Sequence, residues 1–176
     1  MNFTRLQIQF NTTFLPENMG LYRGTESLKS SCIIVVYYVG TKLLDKNDVY
    51  SVSEFSKNTR DIPGFIEVII DAGENALYIK FLSSVLANRG LGTFLMCSAI
   101  LTGFFRGINN IYLDDVTCRF RAENNLYVKL GMIYLEDYGP DMTGNTGAVH
   151  DMWPGILEKY KYFNQDFSLS DVFGIF

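Results

Sequence analysis

Residues 87–93 (ANRGLGT) form a glycine-bearing segment between a strand-like run at 76–85 and an apolar, helix-like run at 93–105. A turn of this kind exposes unpaired backbone N–H groups at a helix N-terminus, where the helix dipole also favours an anion such as phosphate. Gly90 and Gly92 lack a Cβ atom, so a diphosphate could approach the main chain closely. The pattern is short, and a purely structural turn explains it equally well.

Residues 91–105 carry no charge and are bounded by Arg89 and Arg106. A membrane-spanning helix needs about 20 apolar residues, and this run is shorter and is interrupted by glycine, serine and threonine. We therefore expect a helix that is buried on most sides within a protein core, and we expect no membrane span.

The length and composition suit one domain, residues 1–176, with a sizeable core. A net charge of −4 argues against a general nucleic-acid binder, so we expect no nucleic-acid partner. Cys32, Cys97 and Cys118 are widely spaced and His150 is the single histidine, so the sequence predicts no metal site. Cysteines within apolar runs are typical of buried thiols in a reducing compartment, which indicates a cytoplasmic protein.

Hydrophobic periodicity predicts alternating strands and helices. Residues 16–30 are expected to form a short helix or an irregular loop, residues 41–63 a flexible loop, and residues 138–147 another loop. The predicted strands cover residues 6–10, 32–39, 65–71, 76–85, 111–116, 132–135 and 148–153, and the predicted helices cover residues 93–105 and 119–130. This order predicts an α/β (α+β) fold, in which helices cover a mixed, mostly antiparallel central sheet. It fits poorly with the regular βαβ units of a dinucleotide-binding domain.

Residues 155–176 are expected to form a C-terminal extension of the domain. Several aromatic residues lie in this tail, so we expect it to pack against the rest of the chain. The same aromatic residues make the tail a candidate surface for a homodimer or for another protein partner.

The order of elements and two local motifs resemble the GNAT superfamily of acyl-CoA-dependent N-acyltransferases. The first family motif is Gln or Arg, two residues, Gly, one residue, and Gly or Ala before a helix; residues 87–92 read ANRGLG. The second is L-Y-x-K-L-G-F at the end of a helix, and residues 126–132 read LYVKLGM. The resemblance covers residues 65–153, whereas residues 1–64 fit by element order alone.

This resemblance implies that the chain transfers an acetyl group from acetyl-CoA, a co-substrate, to a primary amine on a small molecule, a polyamine or a protein. Backbone N–H groups of the glycine segment would hold the CoA diphosphate, and the edge of the preceding strand would pair with the pantetheine. The residues implied for CoA binding are Leu82, Ser83, Ser84, Val85, Asn88, Arg89, Gly90, Leu91, Gly92 and Thr93.

Tyr127 is implied as the acid that protonates the departing CoA thiolate, since a phenol keeps its proton at neutral pH. Asp114 is the favoured candidate for the general base, and Asp115, Glu67 and His150 are the alternatives. Asp114 and Asp115 point to opposite faces of their strand, so at most one of them faces the cleft.

Four positions depart from the family pattern. Ala87 stands where Gln or Arg is usual, Met132 stands where Phe is usual, and Phe120 and Glu123 stand where Asn and Ala are usual. These departures keep open an alternative, a GNAT-fold protein that no longer catalyses and serves as a structural or interaction module.

Frequent Asn, Tyr, Phe and Ile would suit an AT-rich genome such as that of a large DNA virus. A phosphate-binding module of another fold is a third hypothesis.

Overall fold

An eight-stranded mixed sheet forms the frame of the molecule in a computed structural model, which describes residues 1–44, 62–85, 90–117 and 121–174. The strand order is β1-β2-β3-β4-β5-β6-β8-β7, and every neighbouring pair is antiparallel except the parallel pair β5 and β6. The strands are β1 (Asn2–Arg5), β2 (Gly20–Lys29), β3 (Cys32–Gly40), β4 (Gly64–Asp71), β5 (Ala76–Ser84), β6 (Asn110–Asp114), β7 (Ile133–Tyr134) and β8 (Asp141–Asn145). The predicted fold class, a mostly antiparallel mixed sheet covered by helices, is confirmed.

The hairpin of β4 and β5 agrees closely with the sequence pattern. Residues 72–75 form the turn, and Asp71 binds that turn by accepting hydrogen bonds from the backbone N–H groups of Gly73 and Glu74. The side chain of Asp71 also forms an ion pair with Lys29. Local turn chemistry and two apolar runs were sufficient to predict this unit.

Helix α1 (Leu91–Phe105) crosses from β5 to β6 and is buried along most of its length. One side packs on β3, β4 and β5, and other sides contact the later helices. Ser98 and Thr102 satisfy their hydroxyl groups by donating to the backbone carbonyls of Phe94 and Ser98 within the helix. The uncharged run is thus a core helix, as predicted, and none of the helices in the described part of the chain has the length and hydropathy that a membrane crossing requires.

The C-terminal segment belongs to the same hydrophobic core as α1. Helix α3 covers Thr146–Tyr160, and a last short helix, α4, covers Leu169–Phe173. Tyr162 and Phe173 are completely buried in this core, so the expectation that the tail packs is confirmed. Because these two rings are inside the chain's own core, they are not exposed to a partner.

Residues 16–30 do not form a helix or a loop, because most of them form strand β2. The glycines that suggested a loop instead allow close approach between strands. Gly24 pairs with Phe3, and a Cβ atom on Gly24 would lie 2.6 Å from the Phe3 ring. The strand predicted at residues 6–10 is also wrong: β1 ends at Arg5, and of these later residues only Phe10 forms a bridge, to Phe163.

Three predictions downstream of β6 are wrong, two of them because the hydrophobic spacing was assigned to the wrong element. Of the helix predicted at 119–130, only α2 (Leu126–Lys129) is helical among the described residues, and Arg121 has a left-handed φ of 59°. The strand predicted at 148–153 is part of α3, where Thr146, Val149 and Trp153 are buried at helical spacing. The loop predicted at 138–147 contains strand β8.

The flexible loop predicted at residues 41–63 falls largely outside the described residues, since residues 45–61 are not described. The same holds for Asn88 and Arg89 in the glycine segment and for Phe120 before α2. The remaining residues of the candidate site are described.

Candidate functional site

Strands β5 and β6 run side by side for only part of their length. In the described chain their parallel pairing stops at Tyr78 and Tyr112, although β5 continues to Ser84. A cavity of about 510 Å³ lies where the strands diverge, and both strands contribute to its lining. The sheet therefore opens into a cleft at this point.

A β-bulge explains why β5 turns away from β6. Val68 pairs with Ile79 and Glu67 pairs with Phe81, so Lys80 is the extra residue on β5. A bulge bends its strand and increases the local twist. The second half of β5 is thereby separated from β6 while it remains paired with β4.

The predicted pantetheine-binding edge is the second half of β5. Leu82 and Ser83 are half-buried, Ser84 is exposed, and all three pair with β4 along the opposite edge. Val85 lies beyond the strand with 67% of its surface exposed, and its N–H donates to the Pro63 carbonyl at 2.8 Å. The Val85 N–H therefore already has an acceptor within the chain. Strand β5, which ends before Val85, borders the cleft.

The N-terminus of α1 lies beside the end of β5. Gly90 precedes the helix with a left-handed φ of 77°, a conformation that glycine adopts without strain. No acidic residue occupies the first turn of α1, so nothing there opposes an anion by charge. Leu91 buries its side chain completely, so this residue can offer a ligand only its main chain.

Gly92 brings three elements together. A Cβ atom on Gly92 would lie 3.4 Å from a Leu126 methyl group on α2 and 3.9 Å from the Ser84 Cβ atom on β5. Thr93, the next residue of α1, is half-buried. The N-terminus of α1, the end of β5 and the first residue of α2 therefore lie close to one another.

The C-terminal segment also contacts the glycine turn. The Tyr162 hydroxyl donates a hydrogen bond to the Gly90 carbonyl at 2.9 Å. A Cβ atom on Gly90 would lie 2.5 Å from the Tyr160 ring, which stacks on the Tyr162 ring at 5.3 Å. Two aromatic side chains from beyond the resembling region thus hold the turn, and the sequence did not indicate this.

Tyr127 lies in the first turn of α2 and is 8% exposed. Burial raises the pKa of its phenol, and the nearby Asp115 carboxylate raises that pKa further. Both effects disfavour the phenolate. Tyr127 therefore keeps its proton at neutral pH, as an acid that protonates a leaving group must.

Asp115 is a buried carboxylate whose charge acts on Tyr127, and 2% of its surface is exposed. It accepts hydrogen bonds from the Thr117 hydroxyl at 2.6 Å, the Tyr134 hydroxyl at 2.5 Å and the Asn125 amide at 2.7 Å. Burial acts to raise the pKa of Asp115, but these hydrogen bonds outweigh burial and lower it. A carboxylate held this firmly in its charged form is a poor proton acceptor, so Asp115 organises the site instead.

Asn125 and Tyr134 were not predicted from the sequence, and both bind Asp115 beside the candidate site. The Asn125 side-chain oxygen caps α2 by accepting from the Tyr127 N–H at 2.8 Å, while its amide group donates to Asp115. Tyr134 accepts from the Arg121 N–H, and the Arg121 guanidinium lies 4.3 Å from the centroid of its ring. An Asn directly before a helical segment is a recognisable N-cap signal, and it would have set the start of α2.

Asp114 is exposed and lies on the opposite side of β6 from Asp115. Its cross-strand neighbour is Asp141 on β8, and both carboxylates line the 510 Å³ cavity. A hydrogen bond with Asp114 raises the pKa of Asp141, and burial and the charges of Asp114 and Glu136 raise it further. Tyr78 and Tyr112 line the same cavity and stack at 5.6 Å.

The other two candidate bases differ in position. Glu67 is half-buried beside the bulge of β5, and burial raises its pKa although the Lys80 charge opposes this. His150 stacks on Phe104 at 4.1 Å, near the C-terminus of α1. A helix rises 1.5 Å per residue, so Phe104 lies about 20 Å from the glycine turn, and His150 is remote from the site.

Among the described residues, no group of three or more His, Cys, Asp and Glu side chains could hold a metal ion. Cys32 and Cys97 are buried free thiols, and burial raises the pKa of Cys97.

No protein-family model matches this sequence, and a comparison with curated proteins likewise finds no match. Among solved structures, the chain is similar to a cAMP-binding acyltransferase from Mycobacterium smegmatis, at 13% identity and a TM-score of 0.46, over 73% of this chain and 35% of that one. It is also similar to an IAA acetyltransferase from Bacillus cereus, at 14% identity and a TM-score of 0.42, over 64% of this chain and 77% of that one. A nourseothricin acetyltransferase aligns at 15% identity and a TM-score of 0.42, over 82% and 88% of the two chains.

The chain thus spans about a third of the length of the mycobacterial acyltransferase. At these identities the likeness concerns the fold and not the substrate. The mixed, mostly antiparallel sheet agrees with the fold class that the order of elements predicted. These solved structures are acyltransferases and acetyltransferases, and all three TM-scores lie below 0.5.

Proposed function

We propose that this chain is an N-acetyltransferase that transfers an acetyl group from acetyl-CoA to a primary amine by direct attack. The observation that carries the proposal is the meeting of three features at one cleft. Strand β5 leaves β6, the N-terminus of α1 begins beside the end of β5, and the buried phenol of Tyr127 lies on the helix whose first residue, Leu126, approaches Gly92.

Acetyl-CoA would bind mainly to backbone groups and less to side chains. Its diphosphate would bind the N–H groups of residues 88–93, with Arg89 supplying positive charge, because a helix N-terminus favours anions. The pantetheine would follow the edge of β5 at residues 82–84. The Val85 N–H, which is bonded to Pro63, is excluded from this role.

The reaction needs one bond made and one bond broken. The amine nitrogen attacks the thioester carbonyl carbon to form a C–N bond, and the C–S bond breaks as the thiolate leaves. Tyr127 donates its phenolic proton to that thiolate, and the proton lost by the attacking amine restores the phenol through water or a carboxylate. Positioning of the two substrates contributes most of the remaining rate increase.

The amine would approach through the cavity at the divergence of β5 and β6. Asp114 and Asp141 offer paired carboxylates, and the stacked rings of Tyr78 and Tyr112 offer aromatic faces that attract cations. In this proposal, Asp114 accepts the proton of the ammonium group. The acceptor is then a cationic amine, with polyamines and basic protein segments as the leading classes.

The alternative, a module of this fold without catalysis, is favoured by one observation. The Tyr160 ring lies against Gly90, so one side of the proposed diphosphate site is already covered by the chain itself. Cys32 and Cys97, as buried free thiols, support a reducing, cytoplasmic location under either hypothesis. A homodimer stays a prediction.

Thermal unfolding with and without acetyl-CoA tests the proposal. A ligand at about 100 times its dissociation constant that binds only the folded state adds about 2.7 kcal/mol. For a chain of this size we expect the Tm to rise by about 5 to 10 °C. CoA without the acetyl group should give a rise of similar size, since the diphosphate site is shared.

Two arginines on either side of α1 provide matched variants. Arg89→Gln should reduce the rise in Tm, whereas Arg106→Gln, at the far end of the same helix, should leave it unchanged. No rise in Tm at millimolar acetyl-CoA would contradict the proposal and would favour the module without catalysis.

A further inference from the structure

A loop at residues 136–140 joins two residues that line the cavity at the divergence of β5 and β6. Leu135 precedes the loop and Asp141 follows it, and both line the 510 Å³ cavity. The Leu135 N–H donates to the Asp141 carbonyl at 2.9 Å, so the two ends of the loop are joined. The loop is therefore part of the frame that holds one wall of the proposed amine cavity.

Arg121 holds this loop through its side chain. Its guanidinium Nη2 atom donates to the Glu136 carbonyl at 2.5 Å and to the Gly139 carbonyl at 3.1 Å. The guanidinium also lies over the Tyr134 ring, with 4.3 Å between its carbon atom and the ring centroid. A planar group with several donors makes these contacts together, whereas a lysine ammonium has no plane with which to stack.

The backbone of Arg121 is bonded to the polar network beside Tyr127. Its N–H donates to the Tyr134 hydroxyl at 2.8 Å, and that hydroxyl donates to the Asp115 carboxylate at 2.5 Å. Asp115 also accepts from Asn125, whose side-chain oxygen accepts from the Tyr127 N–H. A continuous chain of contacts therefore joins the loop to the helix that carries the proposed acid.

The backbone conformation of Arg121 indicates that this position is held by its surroundings. Its φ of 59° is left-handed, a region that residues with a Cβ atom adopt infrequently. Such a conformation costs free energy and persists where the surrounding contacts maintain it. The contacts here include the N–H bond to Tyr134 and the guanidinium bonds to the loop.

We propose that Arg121 is a positioning residue that fixes the wall of the amine cavity relative to Tyr127. The proposal rests on the proposed acetyltransferase function, in which Tyr127 is the acid. In that reaction the amine must attack the thioester while the phenol faces the leaving sulfur, and a small misplacement of either group reduces the rate. Arg121 acts through its neighbours and transfers no proton.

Two variants interrupt the chain of contacts at different points. Arg121→Lys keeps the positive charge but loses the planar group that contacts the loop. Tyr134→Phe keeps the ring beneath the guanidinium but removes the hydroxyl that joins the Arg121 N–H to Asp115. Arg106→Lys, the same substitution directly after α1, is the control.

Amide hydrogen exchange, followed by NMR, tests this linkage without any substrate. The Tyr127 N–H reports on α2 and the Leu135 N–H reports on the loop, since each donates to an acceptor within the chain. We expect both amides to exchange about fivefold faster in Arg121→Lys, the factor for one lost hydrogen bond. In Tyr134→Phe the Tyr127 amide should exchange faster while the Leu135 amide changes little. Arg106→Lys should alter neither.

Steady-state turnover, with the best acceptor from an amine screen, tests the effect on the reaction. We expect kcat to fall about tenfold in both variants, because the amine and the acid are no longer held in one geometry. KM for acetyl-CoA should stay within twofold, since the proposed acetyl-CoA site does not include Arg121. A merely structural role would lower the Tm and leave kcat of the folded fraction unchanged.

Two results would overturn the proposal. One is an unchanged exchange rate of the Tyr127 amide in Arg121→Lys, because the linkage would then end at the loop. The other is a kcat within twofold of the unaltered chain in both variants. Failure of the proposed function has a different signature: the unaltered chain would show neither a rise in Tm with acetyl-CoA nor turnover. The exchange measurement would then still decide whether Arg121 links the loop to α2.

Discussion

Helices α1 and α2 both contribute to the proposed acetyl-CoA cleft, but opposite kinds of interaction hold them in place. Helix α1 has 15 residues and is enclosed by apolar contacts with the sheet and with the C-terminal helices. Helix α2 has four residues and depends on the Asn125 cap, which is itself bonded to the Asp115 carboxylate. Burial therefore positions the turn that is proposed to bind the diphosphate, and a polar network positions the proposed acid.

Because of this difference, substitutions near α1 and substitutions near α2 should affect stability and activity to different extents. Apolar burial along α1 contributes to the free energy of unfolding of the whole chain, because it forms much of the core. The polar network around Asp115 orders a short segment whose loss would disturb Tyr127 more than the core. Substitutions in the two regions should therefore have different ratios of lost stability to lost activity.

The largest effect is expected from Tyr127→Phe. Removing the phenolic hydroxyl eliminates the proposed acid, and general acid catalysis is worth about 100-fold or more in rate. We expect turnover, measured as amine-dependent release of CoA with the best acceptor from an amine screen, to fall by about that factor, with the Tm nearly unchanged. Tyr138→Phe, at a position that is 94% exposed, is the matched control. Turnover of Tyr127→Phe within twofold of the unaltered chain would exclude Tyr127 as the acid.

Leu95→Ala tests whether apolar burial holds α1 in place. Leu95 is completely buried, and truncating a buried leucine costs about 2 to 5 kcal/mol. We expect urea unfolding to show a loss of this size, while the folded fraction keeps its affinity for acetyl-CoA. Leu43→Ala, at an exposed leucine, should cost about 0.5 kcal/mol or less. A cost for Leu95→Ala as small as that of the control would show that α1 is not held by burial.

Asp115→Asn, which disturbs the cap of α2, should reduce turnover more than stability. The Asn side chain has the same shape as Asp but no negative charge, so the hydrogen bonds that it accepts are weaker. We expect the free energy of unfolding to fall by about 2 kcal/mol. We expect this moderate loss in urea unfolding together with a larger proportional loss of turnover, because the cap of α2 is disturbed. Asp137→Asn, an exposed change of the same chemistry, is the control. If turnover fell only as far as the folded fraction, the network would not position Tyr127.

The pH dependence of stability tests the same carboxylate without relying on activity. The folded pKa of Asp115 is lowered, so its contribution is complete above the unfolded value of about 3.9 and is lost as the pH falls through the lower folded value. The difference in unfolding free energy between the unaltered chain and Asp115→Asn should be constant from about pH 7 to pH 5 and should shrink below about pH 4. A difference that grew in acid would contradict the sign of this shift.

The smallest effect is expected from Tyr162→Phe. This change removes the single hydrogen bond from the C-terminal segment to the Gly90 carbonyl, worth about 1 kcal/mol. We expect about a fivefold weaker affinity for acetyl-CoA in a calorimetric titration, because the turn loses one restraint. Tyr22→Phe, on the other face of the sheet, is the control. An unchanged affinity would show that the C-terminal segment does not restrain the turn.

The sequence predicted the α1 region well and the α2 region poorly, and the two kinds of interaction explain this. The β4–β5 hairpin and α1 are specified by contiguous apolar runs and local turn residues, which are visible in the sequence. The start of α2 is set by Asn125, and Asn125 is oriented by Asp115, ten residues earlier in the chain. Because that bond joins residues from separate elements, spacing along the predicted helix at 119–130 could not reveal it.

The sequence by itself determined the fold class, the β4–β5 hairpin and helix α1, because these depend on contiguous patterns of apolar residues and on local turn residues. Only the tertiary structure decided which of two adjacent aspartates is buried beside Tyr127, and which lines the cavity with Asp141. It also brought Tyr160 and Tyr162 against Gly90, which lies 70 and 72 residues earlier in the chain. The physical reason is that burial, hydrogen-bond satisfaction and charge depend on neighbours in space, which only the folded chain provides.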